Sequence, residues 1–326
     1  MSEEEPDQNF VLIGLGGTGI KTMLTLRALI ESDESSLHQG RENSCRLLAI
    51  DSNYFHSEYF RDVEEEDIEG FHLSQKEFLN LLHKGEDPWG RVIEDAKSNI
   101  TEAVDLLAKR RTILINRAPD RSDYEAMIYV SRERMKEAIR DFLNNPEEST
   151  KDSARPIKLI IATSLIGDTG SLSYFALLEI LNELSKEIRC DSISAVLLGP
   201  DVFTEIFRPQ TIHIARYLAA INSISKFCVK ESQQRIIPNQ YLISINPGAS
   251  AHQFPRIAIL RETAQKLHGL IIRESEPDSR VKDNGKEPMI ELMPLTVEKC
   301  LEIKNSFSDR LDSDRQFNQL VRDYSL

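Results

Sequence analysis

Gly14, Gly16, Gly17, Thr18 and Gly19, and a second run of Gly167, Asp168, Thr169, Gly170 and Ser171 about 150 residues later, are the positions at which this chain can do chemistry. Each run follows a short apolar stretch, Phe10-Val11-Leu12-Ile13 in one case and Lys158-Leu159-Ile160-Ile161-Ala162-Thr163 in the other, and each precedes an amphipathic one. A strand that passes through glycines into a helix presents several backbone N–H groups at the positive end of a helix dipole, where phosphate oxygens are well bound. Many folds carry one such loop. Two on a single sheet would grip one nucleotide from two sides.

The elements that must position these loops are legible from the hydrophobic pattern. Apolar strand-like runs at residues 10–13, 46–50, 112–116, 157–163, 192–198 and 240–245 are short and rich in Ile, Leu and Val, as strands buried on both faces should be. They alternate with helical segments at 18–32, 74–83, 89–110, 123–143, 171–188 and 209–227. This alternation predicts an α/β fold with a doubly wound, mostly parallel, six-stranded Rossmann-like sheet and helices on both faces. A further long helix at 254–272 carries Ile257, Leu260, Ala264, Leu267 and Ile271 on one stripe, the spacing of a core-facing surface. After residue 274 the chain becomes charged, with a short strand expected near 289–293 and a terminal helix from Thr296. The predicted organisation is thus an acidic, flexible N-terminus at 1–8, a nucleotide-binding domain at 9–252, a long core helix at 253–273 and a reduced C-terminal segment at 274–326.

With 53 acidic against 40 basic residues the formal net charge is -13, which argues against direct nucleic-acid binding, where affinity rests on Lys and Arg neutralising phosphates. The four cysteines show neither CxxC nor Cys/His spacing, so neither a disulfide framework nor direct metal ligation by the protein is expected. Residues 2–7 are acidic rather than basic and apolar, and no run of about 18 apolar residues could span a bilayer. The sequence is therefore read as cytoplasmic, with no membrane partner.

Taken together, these residues resemble the tubulin/FtsZ superfamily, and in particular its divergent bacterial tubulin-like proteins, over residues 9–272. The first glycine run looks like the first phosphate loop of that family, and Leu48-Ala49-Ile50-Asp51-Ser52-Asn53 looks like its second. The stretch from Ala162 to Ser171 is similar to the tubulin signature loop. Pro200, Glu205 and Arg208 resemble the ribose-loop residues, with Pro and Arg eight positions apart. Asn246 at the end of the sixth strand, or Asn222 near the end of the preceding helix, is similar to the Asn that reads the base, and Phe254 is placed to stack on a purine.

The resemblance implies a tubulin/FtsZ-type GTPase domain binding GTP or GDP with nucleotide-bound Mg²⁺. Asp51, Asn53 and the two glycine runs would hold the ligand, and the protein would self-associate or dock onto another protein. Any GTPase chemistry would use acids from a neighbouring subunit, so no catalytic residue is assigned.

Several positions depart from the family pattern. Ile166, Asp168 and Leu172 replace glycines of the signature loop, and Asp168 puts a carboxylate beside the phosphates unless a cation bridges them. Ala258 and Ile259 occupy the position where relatives carry a base-reading Asn or Asp. Glu274, Glu276, Asp278 and Asp283 lack the family's acidic spacing.

Two other readings stay open on the sequence. One is a Rossmann-type dinucleotide oxidoreductase or adenylating enzyme, because Gly14, Gly16 and Gly19 satisfy G-x-G-x-x-G; however, Asp51 follows Gly19 by 32 residues where roughly 20 is usual. The other is a degenerate, nucleotide-free scaffold whose surface binds another protein.

Overall fold

Apolar runs without polar alternation must be covered on both sides, and the sheet shows the result. The computed structural model describes residues 9–32, 44–52, 73, 75–81, 121–144, 157–188, 190, 192–203, 211–229, 238–245, 256–269 and 290–325. Strands β1 (Asn9–Leu15), β4 (Ile157–Ser164) and β5 (Ser192–Leu198) are buried along nearly their whole length. With β2 (Ser44–Asp51), β3 (Phe78–Asn80), β6 (Asn239–Ile245) and β7 (Ile290–Pro294) they form a sheet of order β3-β2-β1-β4-β5-β6-β7. All pairings are parallel except β6 with β7, which is antiparallel.

The helices among the described residues are α1 (Gly16–Glu31), α2 (Arg121–Asn144), α3 (Asp168–Leu184), α4 (Thr211–Val229), α5 (Arg256–Leu267), α6 (Val297–Ser306), α7 (Ser308–Ser313) and α8 (Arg315–Tyr324). The chain leaves the centre of the sheet in opposite directions, from β1 towards β2 and from β4 towards β5. Right-handed crossovers therefore place α1 and α3 on opposite faces. The C-terminal ends of β1 and β4, paired at Leu15 with Thr163, form the point where the strand order reverses. Crevices at such a point are where ligands bind in open α/β sheets.

The fold corrects three expectations. Within the helix expected at 74–83, the described residues 75–81 are not α-helical: a 3₁₀ turn at Gln75–Glu77 leads into β3, whose Phe78, Leu79 and Asn80 pair with Ala49, Ile50 and Asp51. The sheet thus gains a strand at this edge and a further one at β7, while the strand and helix expected at 112–116 and 89–110 lie outside the described residues. The single terminal helix is three helices. Thr296 caps α6 by accepting from the Lys299 N–H at 3.2 Å, and Asp314 caps α8 by accepting from the Phe317 N–H at 2.9 Å.

This C-terminal segment is part of the same layered body, since β7 is bonded to β6 and both α6 and α8 pack on α4. Phe317 and Val321 of α8 are fully or almost fully buried. Removing two methyl groups there leaves a void, so Val321→Ala is expected to destabilise the chain by about 2 kcal/mol, read from the urea midpoint at unchanged slope.

Candidate functional site

Both glycine runs are helix starts rather than loops. α1 begins at Gly16 and α3 at Asp168, and no side chain caps either N-terminus. The first-turn N–H groups of a helix have no acceptor within it. Here they belong to Gly16, Gly17 and Thr18 in α1, and to Asp168, Thr169 and Gly170 in α3.

The two starts touch. Gly16 has φ +66°, a left-handed conformation that favours glycine, and a Cβ placed on it would lie 3.1 Å from the Gly170 N. A Cβ on Gly170 would lie 2.6 Å from the Thr163 hydroxyl and 3.0 Å from the Leu15 carbonyl oxygen. Small residues at 16 and 170 therefore let two positive helix ends approach one another. Gly14 and Gly19 serve a different purpose: each presses α1 against the sheet, with hypothetical Cβ distances of 2.6 Å to the Ile20 Cα and 2.2 Å to the Ala162 carbonyl oxygen.

A cavity of about 320 Å³ opens where the helix starts meet. Its lining includes Gly16, Gly17, Thr18, Asp51, Gly167, Asp168, Thr169 and Gly170, and also Phe203, His213 and Arg216. The Asp51 carboxylate is 5% exposed and accepts the Ser52 N–H at 2.6 Å. Ser52 in turn meets Thr169, hydroxyl to hydroxyl, at 2.6 Å, so the end of β2 is tied to the start of α3.

Arg216 supplies what the sequence left unexplained about Asp168. From the second turn of α4 its Nη2 reaches the Asp168 carboxylate at 3.1 Å, and both side chains are largely buried. The acid at the head of α3 is thus neutralised by a cation at the cavity wall. The other departures from glycine are accommodated without strain: Ile166 and Leu172 are buried in the core, and the Leu165 N–H donates to the Leu198 carbonyl at 3.0 Å, holding the loop in place.

Of the remaining predicted site residues, Ser171 is buried, and its N–H and hydroxyl both donate to the Gly167 carbonyl, at 3.2 and 2.6 Å. Its N–H is thus already used by the helix. Asn222 lies six positions along α4 from Arg216, roughly 9 Å further along the axis, and is not in the cavity wall. Pro200 opens a 3₁₀ turn whose last residue, Phe203, lines the cavity in its stead. Asn53, Glu205, Arg208, Asn246 and Phe254 lie outside the described residues.

Nothing in the local sequence around His213 and Arg216 marks them as lining residues. Their signal is positional, because a helix that follows β5 begins on the same side of the sheet as the two glycine runs. Burial, and then the Arg216 guanidinium, hold the His213 imidazole below its usual 6.5, while Asp168 opposes them. The folded state therefore favours neutral His213. This contribution to stability is full above the unfolded value and is lost as pH falls through the folded one. An anion in the cavity adds favourable charge, so the imidazole NMR titration midpoint is expected below 6.5 in the free protein and higher with tripolyphosphate bound.

Among the described residues no group of three or more His, Cys, Asp or Glu side chains could hold a metal ion, and no helix is long and apolar enough to cross a membrane. The two carboxylates in the wall each have a protein partner.

No protein-family model matches the chain, and no curated protein matches it in sequence. Among solved structures it is similar to CetZ from Methanosaeta thermophila strain DSM 6194, at 16% identity and a TM-score of 0.43 over 92% of this chain and 59% of that one. It is also similar to TubZ of Bacillus thuringiensis serovar israelensis in its GTPγS-form protofilament, at 12% identity and a TM-score of 0.46 over 85% of this chain and 57% of that one. The chain spans less than two thirds of the length of each.

Proposed function

We propose that this chain is a tubulin/FtsZ-like nucleotide-binding protein that holds the polyphosphate of a purine nucleoside triphosphate, GTP by motif resemblance, at the switch point of its sheet. The observation that carries the reading is the meeting of two uncapped helix N-termini at Gly16 and Gly170 around one cavity. Positive helix ends repel unless something negative lies between them. A phosphate chain satisfies both.

The N–H groups of Gly16, Gly17 and Thr18 would take one part of the polyphosphate, and those of Thr169 and Gly170 another. Arg216 adds the side-chain cation. Mg²⁺ bound to the phosphates would neutralise charge that these donors leave over. The residues that resemble ribose and base contacts, Glu205, Arg208, Asn246 and Phe254, would extend the site towards the nucleoside.

Hydrolysis on this reading depends on acids of a neighbouring subunit, from the stretch holding Glu274, Glu276, Asp278 and Asp283. It would therefore follow self-association. Equilibrium binding of labelled GTP with Mg²⁺ tests the reading. Saturable binding displaced by unlabelled GTP and by tripolyphosphate is expected; displacement by NAD but not by tripolyphosphate would favour the dinucleotide alternative, and no binding would favour the scaffold.

A further inference from the structure

The C-terminal helix touches the proposed phosphate site through one residue. The Arg216 guanidinium lies 5.2 Å from the centroid of the Tyr324 ring, at the last turn of α8, while its Nη2 is on Asp168. Two of its three sides are thus defined, by a carboxylate from α3 and an aromatic face from α8. Its Nε is buried and has no hydrogen-bond acceptor among the described residues. Arg216 also lines the cavity, where its planar donor fork is of the kind that matches phosphate oxygens.

A second contact joins the same two regions. Arg310 of α7 donates to the Thr211 hydroxyl at 3.0 Å, at the first residue of α4, and stacks 4.1 Å from the Phe317 ring centroid. The first two turns of α4 are therefore fixed from the C-terminal side at Thr211 and at Arg216.

We propose that the C-terminal helix completes the phosphate site: Tyr324 positions Arg216 at the cavity wall, and Arg216 supplies the side-chain cation that binds the phosphates. The inference rests on the phosphate-binding reading above. Tyr324 is a positioning residue, and Arg216 is the group that touches ligand. Because Arg216 would touch both the bound anion and the Tyr324 ring, occupancy of the cavity and the docking of α8 on α4 become linked. By that linkage, ligand tightens α8 as much as α8 tightens ligand.

The test is calorimetric titration of sodium tripolyphosphate into the full chain and three variants, with amide hydrogen exchange of α8 measured with and without the probe. Arg216→Gln is expected to weaken binding roughly 30-fold, the scale of one charged hydrogen bond. Tyr324→Leu keeps an apolar group on α4 but loses the aromatic face, and is expected to weaken binding roughly three-fold; Tyr324→Phe restores the affinity. Exchange in α8 should slow on binding in the parent chain and in Tyr324→Phe, but not in Arg216→Gln. Equal affinity in the parent, Arg216→Gln and Tyr324→Leu would overturn the role given to α8 and leave the cleft itself intact. A parent chain that binds no tripolyphosphate would overturn both.

Discussion

Gly167→Asp is expected to make the folded chain more stable by about 0.5–1 kcal/mol while weakening tripolyphosphate binding roughly 100-fold. Gly167 is the N-cap of α3, with φ -81° and ψ 144°, an extended conformation that aspartate adopts freely, and no side chain caps the helix there. A Cβ at this position meets nothing within 4 Å. The new carboxylate can therefore accept from the first-turn N–H groups of α3, which adds a few tenths of a kcal/mol over glycine and a favourable dipole term, reduced by the adjacent Asp168.

These are the same donors assigned to phosphate, so the gain in stability and the loss of affinity have one cause. A nucleotide-free scaffold would show the first effect alone. Urea unfolding and equilibrium dialysis on the same variant separate the two cases; a more stable variant that binds as well as the parent would show that α3 is not a phosphate donor.

Gly19→Ala tests the frame rather than the ligand. Within a helix the exchange of glycine for alanine gains about 1 kcal/mol from propensity. At this position the added Cβ would lie 2.2 Å from the Ala162 carbonyl oxygen and 2.9 Å from its carbon. That is backbone of a central strand, which cannot rotate away, so α1 must lift from β4. Overpacking of this kind costs up to about 3 kcal/mol or more and outweighs the propensity gain. A net loss of about 2 kcal/mol in urea is the expected result. An unchanged midpoint would mean that α1 does not sit on β4 as described.

How far the sequence revealed this structure depended on whether a signal was local. The apolar runs that became β1, β2, β4, β5 and β6 are self-evident because strands buried on both faces have no polar alternation to confuse them. The three-residue β3 reads as helix in the sequence, since Phe78, Leu79 and Leu81 fit a helical stripe equally well and only the neighbouring β2 decides for a strand. Both helix starts lie two or three residues before the positions that the sequence pattern indicates, for a similar reason. Glycines discourage a helix assignment, yet Gly16 and Asp168 follow residues already in extended N-cap geometry, at Leu15 and Gly167.

The glycine runs themselves were legible as phosphate-binding candidates, because their chemistry resides in consecutive backbone groups. Arg216 was not, because its meaning lies in a contact with Asp168, 48 positions away, that exists only once α3 and α4 lie side by side. Ser52 is legible in the sequence only as part of a motif, and its pairing with Thr169 likewise needs the assembled sheet.

The central claim is that two converging helix starts bind phosphate through their first-turn amides, and backbone amide NMR during a tripolyphosphate titration tests it most directly. The N–H resonances of Gly16, Gly17, Thr18, Thr169 and Gly170 are predicted to move together and saturate, while that of Ser171, already donating to the Gly167 carbonyl at 3.2 Å, stays in place. Saturable binding that leaves those five amides unmoved, or no binding at all, would contradict the account.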